Sequence, residues 1–164
     1  MLQHIHIRHF AIVDKLALDF QPGMTVLTGE TGAGKSILLD ALGLALGDRA
    51  ESGTIRANAE RAEISAEFDI HALPSAQQWL LERELDDEQQ CLIRRTVSKD
   101  GRSKGYINGR PVPMASLREL GEQLVDIHGQ SEHLSLLVRE QQLNFLDDYA
   151  HTLALRHEFS VAAA

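Results

Sequence analysis

Residues 29–36 read G-E-T-G-A-G-K-S, a complete Walker A phosphate loop of the form G-x-x-x-x-G-K-[ST]. Few other octapeptides constrain a chain so tightly. The backbone must curl and come close to a polyphosphate, which calls for glycine at Gly29, Gly32 and Gly34. Its N–H groups must converge at a helix start, where the dipole favours anions. Lys35 supplies the cation for the β- and γ-phosphates, and the Ser36 hydroxyl is placed to hold magnesium. Glu30, Thr31 and Ala33 fill the variable positions and contribute backbone N–H groups at most. The binding stretch closes at Ile37.

The motif requires a strand before it and a helix after it. Met24, Thr25, Val26, Leu27 and Thr28 are short, β-branched and apolar behind a Pro22-Gly23 turn, and predict that strand. Residues 37–46 are apolar and helix-length, with Gly47 where a C-cap glycine belongs. Upstream, Ile5 and Ile7 alternate with polar residues, as do Leu16, Leu18 and Phe20, so two half-buried strands precede the loop. Small phosphate-loop kinases commonly begin with the Walker strand itself. Two antiparallel strands ahead of it are the layout of ABC-type and SMC-like ATPase heads. The fold class expected is therefore α/β, a P-loop NTPase of that kind.

Downstream, residues 48–61 form a polar connector. Ile64, Ala66, Phe68 and Ile70 alternate as a strand. Pro74 opens a helix through Trp79 towards Leu85, and residues 86–88 are an acidic loop. Residues 91–112 predict an antiparallel meander, with Leu92, Arg94, Thr96 and Ser98 on one face of its first strand. It turns at Gly101 and again at Asn108-Gly109, a strong hairpin signal. Residues 114–124 read as a helix.

A chain of 164 residues with one cysteine, Cys91, can form no internal disulfide and no cysteine cluster for zinc. A formal charge of -8 excludes a wholly basic nucleic-acid coat but not a local basic patch. The N-terminus lacks an apolar signal core and no stretch reaches membrane-spanning length, so a cytoplasmic setting without membrane contact is expected.

A self-sufficient NTPase also needs a Walker B strand, an apolar run ending in Asp or Asp-Glu. Its nearest lookalike, Leu143-Asn144-Phe145-Leu146-Asp147-Asp148, reads better as an amphipathic helix. No signature motif is present either. Half of a catalytic site is legible.

The combination of Phe10-Ala11-Ile12-Val13, Gly23 through Ile37, Asp40-Ala41-Leu42-Gly43-Leu44, Asp100-Gly101-Arg102-Ser103, Tyr106-Ile107-Asn108-Gly109 and Ile127-His128-Gly129-Gln130 closely resembles the N-terminal head segment of the RecN family. These are bacterial SMC-like proteins of DNA double-strand break repair. The resemblance runs from residue 1 to about 150 and implies an N-terminal lobe of an ATPase head, with residues 151–164 as the root of a truncated coiled coil. It implies ATP and Mg2+ as cofactors, and a C-terminal lobe of the same protein carrying the signature and Walker B motifs. It further implies a second head as homodimer partner, DNA, a recombinase, and a nucleoid-associated location. Lys35 and Gln130 would then be the catalytic residues, with Ser36 and Gln130 on the metal. On its own pattern Gln130 reads as a solvated helix start; the resemblance makes it the Q-loop glutamine. Related heads often place an Arg after the first strand, where this chain has Ala11. Arg49 is a candidate interface or nucleotide residue.

Two other function classes stay open on the sequence. One is a self-contained P-loop kinase, with the basic meander as its lid. The other is a non-catalytic module in which ATP only drives dimerisation. Arg94, Arg95, Lys99, Arg102, Lys104 and Arg110 concentrate on the meander and would meet DNA phosphate if they shared a face, although a solvated hairpin fits as well. His4 with His6, and His128 with His133, suit surface histidines better than metal ligands. Trp79, Leu81 and Leu85 suit core packing.

Overall fold

The computed structural model describes residues 1–28, 34–50 and 53–125, together with 146, 147, 149, 150, 152 and 159. Contacts gather into two units, Met1–Asp126 and Ile127–Ala164. In the second, the described residues carry local bonds such as Ala150 N–H to the Leu146 carbonyl at 2.9 Å.

The alternation of apolar and polar residues becomes β1 (Leu2–Phe10), β2 (Val13–Asp19), β3 (Arg61–Asp69), β4 (Gln90–Ser98), β5 (Ser103–Ile107) and β6 (Arg110–Val112). They form one sheet in the order β2-β1-β3-β4-β5-β6, antiparallel throughout. Asn108 and Gly109 both take positive φ, 47° and 77°, as the turn between β5 and β6 requires. A period of two puts Ile5, Ile7, Ala62, Ile64, Ala66, Phe68, Cys91, Ile93, Val97 and Ile107 on one buried face. Ala62 and Ala66 keep β3 shallow there, which leaves room for a helix to lie across it.

That helix is α1 (Gly34–Ala45), packed on β1, β3 and β4. Its second half is buried at Ala41, Leu42, Leu44 and Ala45, and Leu46 beyond it is buried too. α3 (Met114–Leu124) covers β5 through Leu117 and packs on α2 (Pro74–Glu82). Leu85 and Trp79 are buried as expected, and the Trp79 Nε1–H donates to Glu119 at 3.3 Å. Leu81 is not in the core: it is largely exposed, because a helix that turns Leu80 inward swings its neighbour about 100° away.

Gly47 ends α1 at φ +112°, and a Cβ there would stand 2.8 Å from the backbone N of Arg118. Both the left-handed backbone and the close approach to α3 exclude a side chain. Gly47→Ala is expected to destabilise the chain by about 2 kcal/mol. Urea unfolding checks this, and an unmoved midpoint would contradict it.

One predicted element does not form. Residues 24–28 are neither strand nor helix, and Met24 is 92% exposed, Val26 72% and Leu27 45%. A strand exists only as a paired object, since its N–H and C=O groups need a ladder. Among the described residues nothing pairs with this segment.

Candidate nucleotide site

Gly34 and Lys35 are the first two residues of α1, followed by Ser36, which is exposed, and Ile37, which is half-buried. The helix begins inside the phosphate loop, as the motif demands. In an α-helix the first four N–H groups lack intrahelical acceptors, so those of Gly34, Lys35, Ser36 and Ile37 are available to a ligand. The first turn carries no acidic side chain to compensate the positive dipole end. An anion is what this end accepts, and the exposed Ser36 hydroxyl beside it suits a hard cation held by that anion. Gly29, Glu30, Thr31, Gly32, Ala33 and Gln130 lie outside the described residues, as do His128, His133 and the Leu143-Asn144-Phe145 part of the Walker B lookalike.

The first half of α1 contrasts with its buried second half. Leu39 is exposed, and Ile37 and Leu38 are only partly covered. Met24, Val26 and Leu27 precede the loop and are exposed as well. Apolar residues on both sides of the phosphate loop thus lack a cover among the described residues.

The turn between β1 and β2 gains a residue that the sequence reading did not single out. His9 and Ala11 take left-handed φ, 52° and 50°. The connector returns beside them: Ala11 N–H donates to the Thr54 carbonyl at 2.9 Å and Arg56 N–H to that of His9 at 2.8 Å. The Arg56 guanidinium donates to the Ile12 carbonyl at 3.1 Å, while His9 Nδ1 lies 3.2 Å from Asp14. Ala11 supplies no arginine to this turn, and Arg56 brings one from the connector. An open cleft of about 720 Å3 lies here, lined by His9, Asp14, Arg56 and the following connector residues. No local pattern in the sequence links residue 56 to residue 12. Arg49 is exposed on the same connector.

The six basic residues of the meander do not share a face. Arg95 points into the core. Lys99 pairs with Glu60 at 3.8 Å, Arg102 donates to Asp100 at 2.6 Å, and Arg110 donates to the Glu84 carbonyl. The Asp100 carboxyl is held below its usual range by the Arg102 hydrogen bond. Arg94 lies over the Tyr106 ring at 4.3 Å, and Lys104 follows on the neighbouring strand. Alternation in β4 and opposite turns in the hairpins scatter what the sequence concentrates. His4 pairs with Asp19 at 2.6 Å, and among the described residues no three His, Cys, Asp or Glu converge on a metal site. Among them, too, no helix is long and apolar enough to cross a membrane.

Cys91 is buried on β4, and burial pushes its thiol up to about 12. The neutral thiol's contribution to stability is intact below pH 9 and is lost as the pH climbs towards 12. A thiol reagent at pH 8 is expected to label Cys91 only as the chain unfolds; stoichiometric labelling of the native chain would contradict its burial.

A comparison with known protein families matches residues 4–157 to the AAA domain. The chain belongs to the AAA domain family. Within that family it is similar to the DNA repair protein RecN of Xylella fastidiosa (strain Temecula1 / ATCC 700964), with 51% identity over 163 residues, 99% of this chain and 29% of that protein. The RecN of Vibrio cholerae serotype O1 is 49% identical over 150 residues, 92% of this chain and 27% of that protein. The RecN resemblance read from the sequence is borne out, and the chain spans less than a third of the length of these relatives. Among solved structures, a chain from work on ATP-driven dimerization and DNA-stimulated activation of SMC ATPases superposes with a TM-score of 0.66 at 23% identity. The match covers 90% of this chain and 98% of that one. At this identity the likeness is one of fold alone: the chain shares the α/β fold of that structure.

Proposed function

We propose that this chain is the ATP-binding N-terminal lobe of an SMC-like ATPase that acts in DNA double-strand break repair. The observation that carries it is a complete phosphate loop running into α1. RecN relatives roughly three and a half times as long as this chain support the setting, since they leave room for the other half of the site. Residues 24–28 and the first half of α1 then have a role. They are the apolar ground on which a C-terminal lobe of the same protein docks, supplying the strand partners that residues 24–28 lack. The domain reading stays 1–150 for the lobe, with 151–164 as the root of a coiled-coil helix.

In this reading the N–H groups of the loop and of α1's first turn bind the phosphates of ATP. Lys35 sets its ammonium against the β- and γ-phosphates. Ser36 and Gln130 hold Mg2+, which when bound would neutralise charge on the transferring phosphoryl group. Gln130 also orients the attacking water. The C-terminal lobe brings the residue that activates that water, and a second head closes over the nucleotide as a homodimer. DNA and a recombinase are the further partners, in a nucleoid-associated cytoplasmic setting. A self-contained kinase gains no support, because the basic meander is the body of the sheet rather than a lid.

The test is ATP turnover by this chain alone and mixed with a separately produced C-terminal portion of the same protein. Turnover in the mixture alone supports a split head. Turnover by this chain alone would sink that reading and require a complete site within its residues.

A further inference from the structure

Arg95 is the one charged side chain buried among the described residues, at 3% exposure. It projects from the middle of β4 towards α1. Its Nε donates to the Ser103 hydroxyl at 2.8 Å, and its Nη1 donates to the Leu44 carbonyl at 2.8 Å. Leu44 lies in the last turn of α1, at the negative end of the helix dipole. Other contacts fix the same end. Asp48 N–H donates to the Gly43 carbonyl at 3.0 Å, and a Cβ on Gly121 of α3 would come within 2.9 Å of Leu46.

Burying a guanidinium is costly, and an apolar side chain of similar length would fill this space at least as well for stability. Burial here works against the charge, as Arg118 does, while the Asp48 carboxylate favours it. Stability alone is thus a poor reason for an arginine. What the guanidinium supplies is direction: a rigid planar fork that holds one named carbonyl while its other arm is anchored on β5. Fixing one end of a short helix fixes its rotation and its position along the axis. Gly34 lies ten residues before Leu44, about 15 Å at 1.5 Å per residue. The N–H groups of α1's first turn are therefore set by what grips its last.

We propose that Arg95 is a positioning residue for the nucleotide site, locking α1 from its C-terminal end so that the phosphate-binding N–H groups and Ser36 are preorganised. The proposal rests on the nucleotide reading given above and goes beyond it. Nucleotide affinity is tuned from the far end of α1. Ser103 brings the β4–β5 hairpin into the same node, since its hydroxyl also faces the Thr96 carbonyl at 3.4 Å.

The experiment uses the full-length protein, with Mg2+ and a fluorescent N-methylanthraniloyl ATP as probe, titrated well below the melting midpoint. Arg95→Met is expected to melt at the parent's temperature and to bind the probe about tenfold to a hundredfold more weakly. Arg95→Lys, which keeps the charge and one donor, should recover part of the loss. A merely structural Arg95 would do the reverse: a lowered midpoint with unchanged affinity overturns the proposal. Should Arg95→Met fail to fold, Ser103→Ala releases one arm of the fork and is expected to weaken binding several-fold; parent affinity there also overturns it. Lys35→Ala separates the two layers. If Lys35→Ala binds the probe like the parent, the nucleotide reading itself falls and this inference falls with it. If Lys35→Ala loses binding while Arg95→Met keeps it, the inference alone falls.

Discussion

Lys35→Ala should lower steady-state ATP turnover of the full-length protein by about a thousandfold at saturating Mg·ATP. Lys35 is the second residue of α1, at the positive end of the dipole, where free backbone N–H groups favour an anion. The ammonium adds what N–H groups cannot, a full charge that follows the γ-phosphoryl group as negative charge redistributes in the transition state. Losing it therefore harms the transition state more than ground-state binding, and kcat should fall further than KM rises. Phosphate release measured for both proteins decides it. A variant that turns over at the parent rate would end the assignment of residues 29–36 as a catalytic phosphate loop.

Val26→Asp should leave this chain's own stability within about 0.5 kcal/mol of the parent, because Val26 is 72% exposed. Its effect should appear on assembly. If residues 24–28 become a central strand when a C-terminal lobe docks, the new carboxylate is buried without a partner, costing about 4 kcal/mol. That is roughly a thousandfold in the association constant. Calorimetric titration of the variant with the separately produced C-terminal portion measures it directly. Parent-like affinity would mean that residues 24–28 stay outside the interface. A large loss of stability in the chain by itself would mean that Val26 is already packed.

Much of the lobe was legible because its signals are local. Alternation at Ile5 and Ile7 and from Ile64 to Ile70, the Asn108-Gly109 turn, and Gly47 behind an apolar helix all act through neighbours in the chain. Residues 24–28 show where that logic stops. Their composition gives a strand preference, but a preference does not supply a ladder, and the ladder is not among the described residues. Leu81 was misplaced because a leucine beside a buried leucine looks the same in composition and opposite on the helix. Arg95 is the instructive case. Counting cations grouped it with Arg94, yet Cys91, Ile93, Arg95 and Val97 share the inward face by the same period of two that put Arg94 outside. Arg56 had no such signal, since its bond to the Ile12 carbonyl crosses 44 residues. The phosphate loop itself rests on its motif, and the structure contributes the helix that begins within it.

The strand order has a kinetic consequence. β3 to β6 follow one another along both chain and sheet, whereas β1 reaches β3 only through long-range pairings such as that of Ile7 with Ile64. That pairing closes a loop of 57 residues, the difference of those two numbers, and the entropy of closure is about 3.6 kcal/mol. The meander can therefore organise early, while the β1–β3 junction sets the pace of folding. The phosphate loop lies wholly inside that late-closing segment, so a ligand gripping it would slow the reopening of the sheet along with the release of α1.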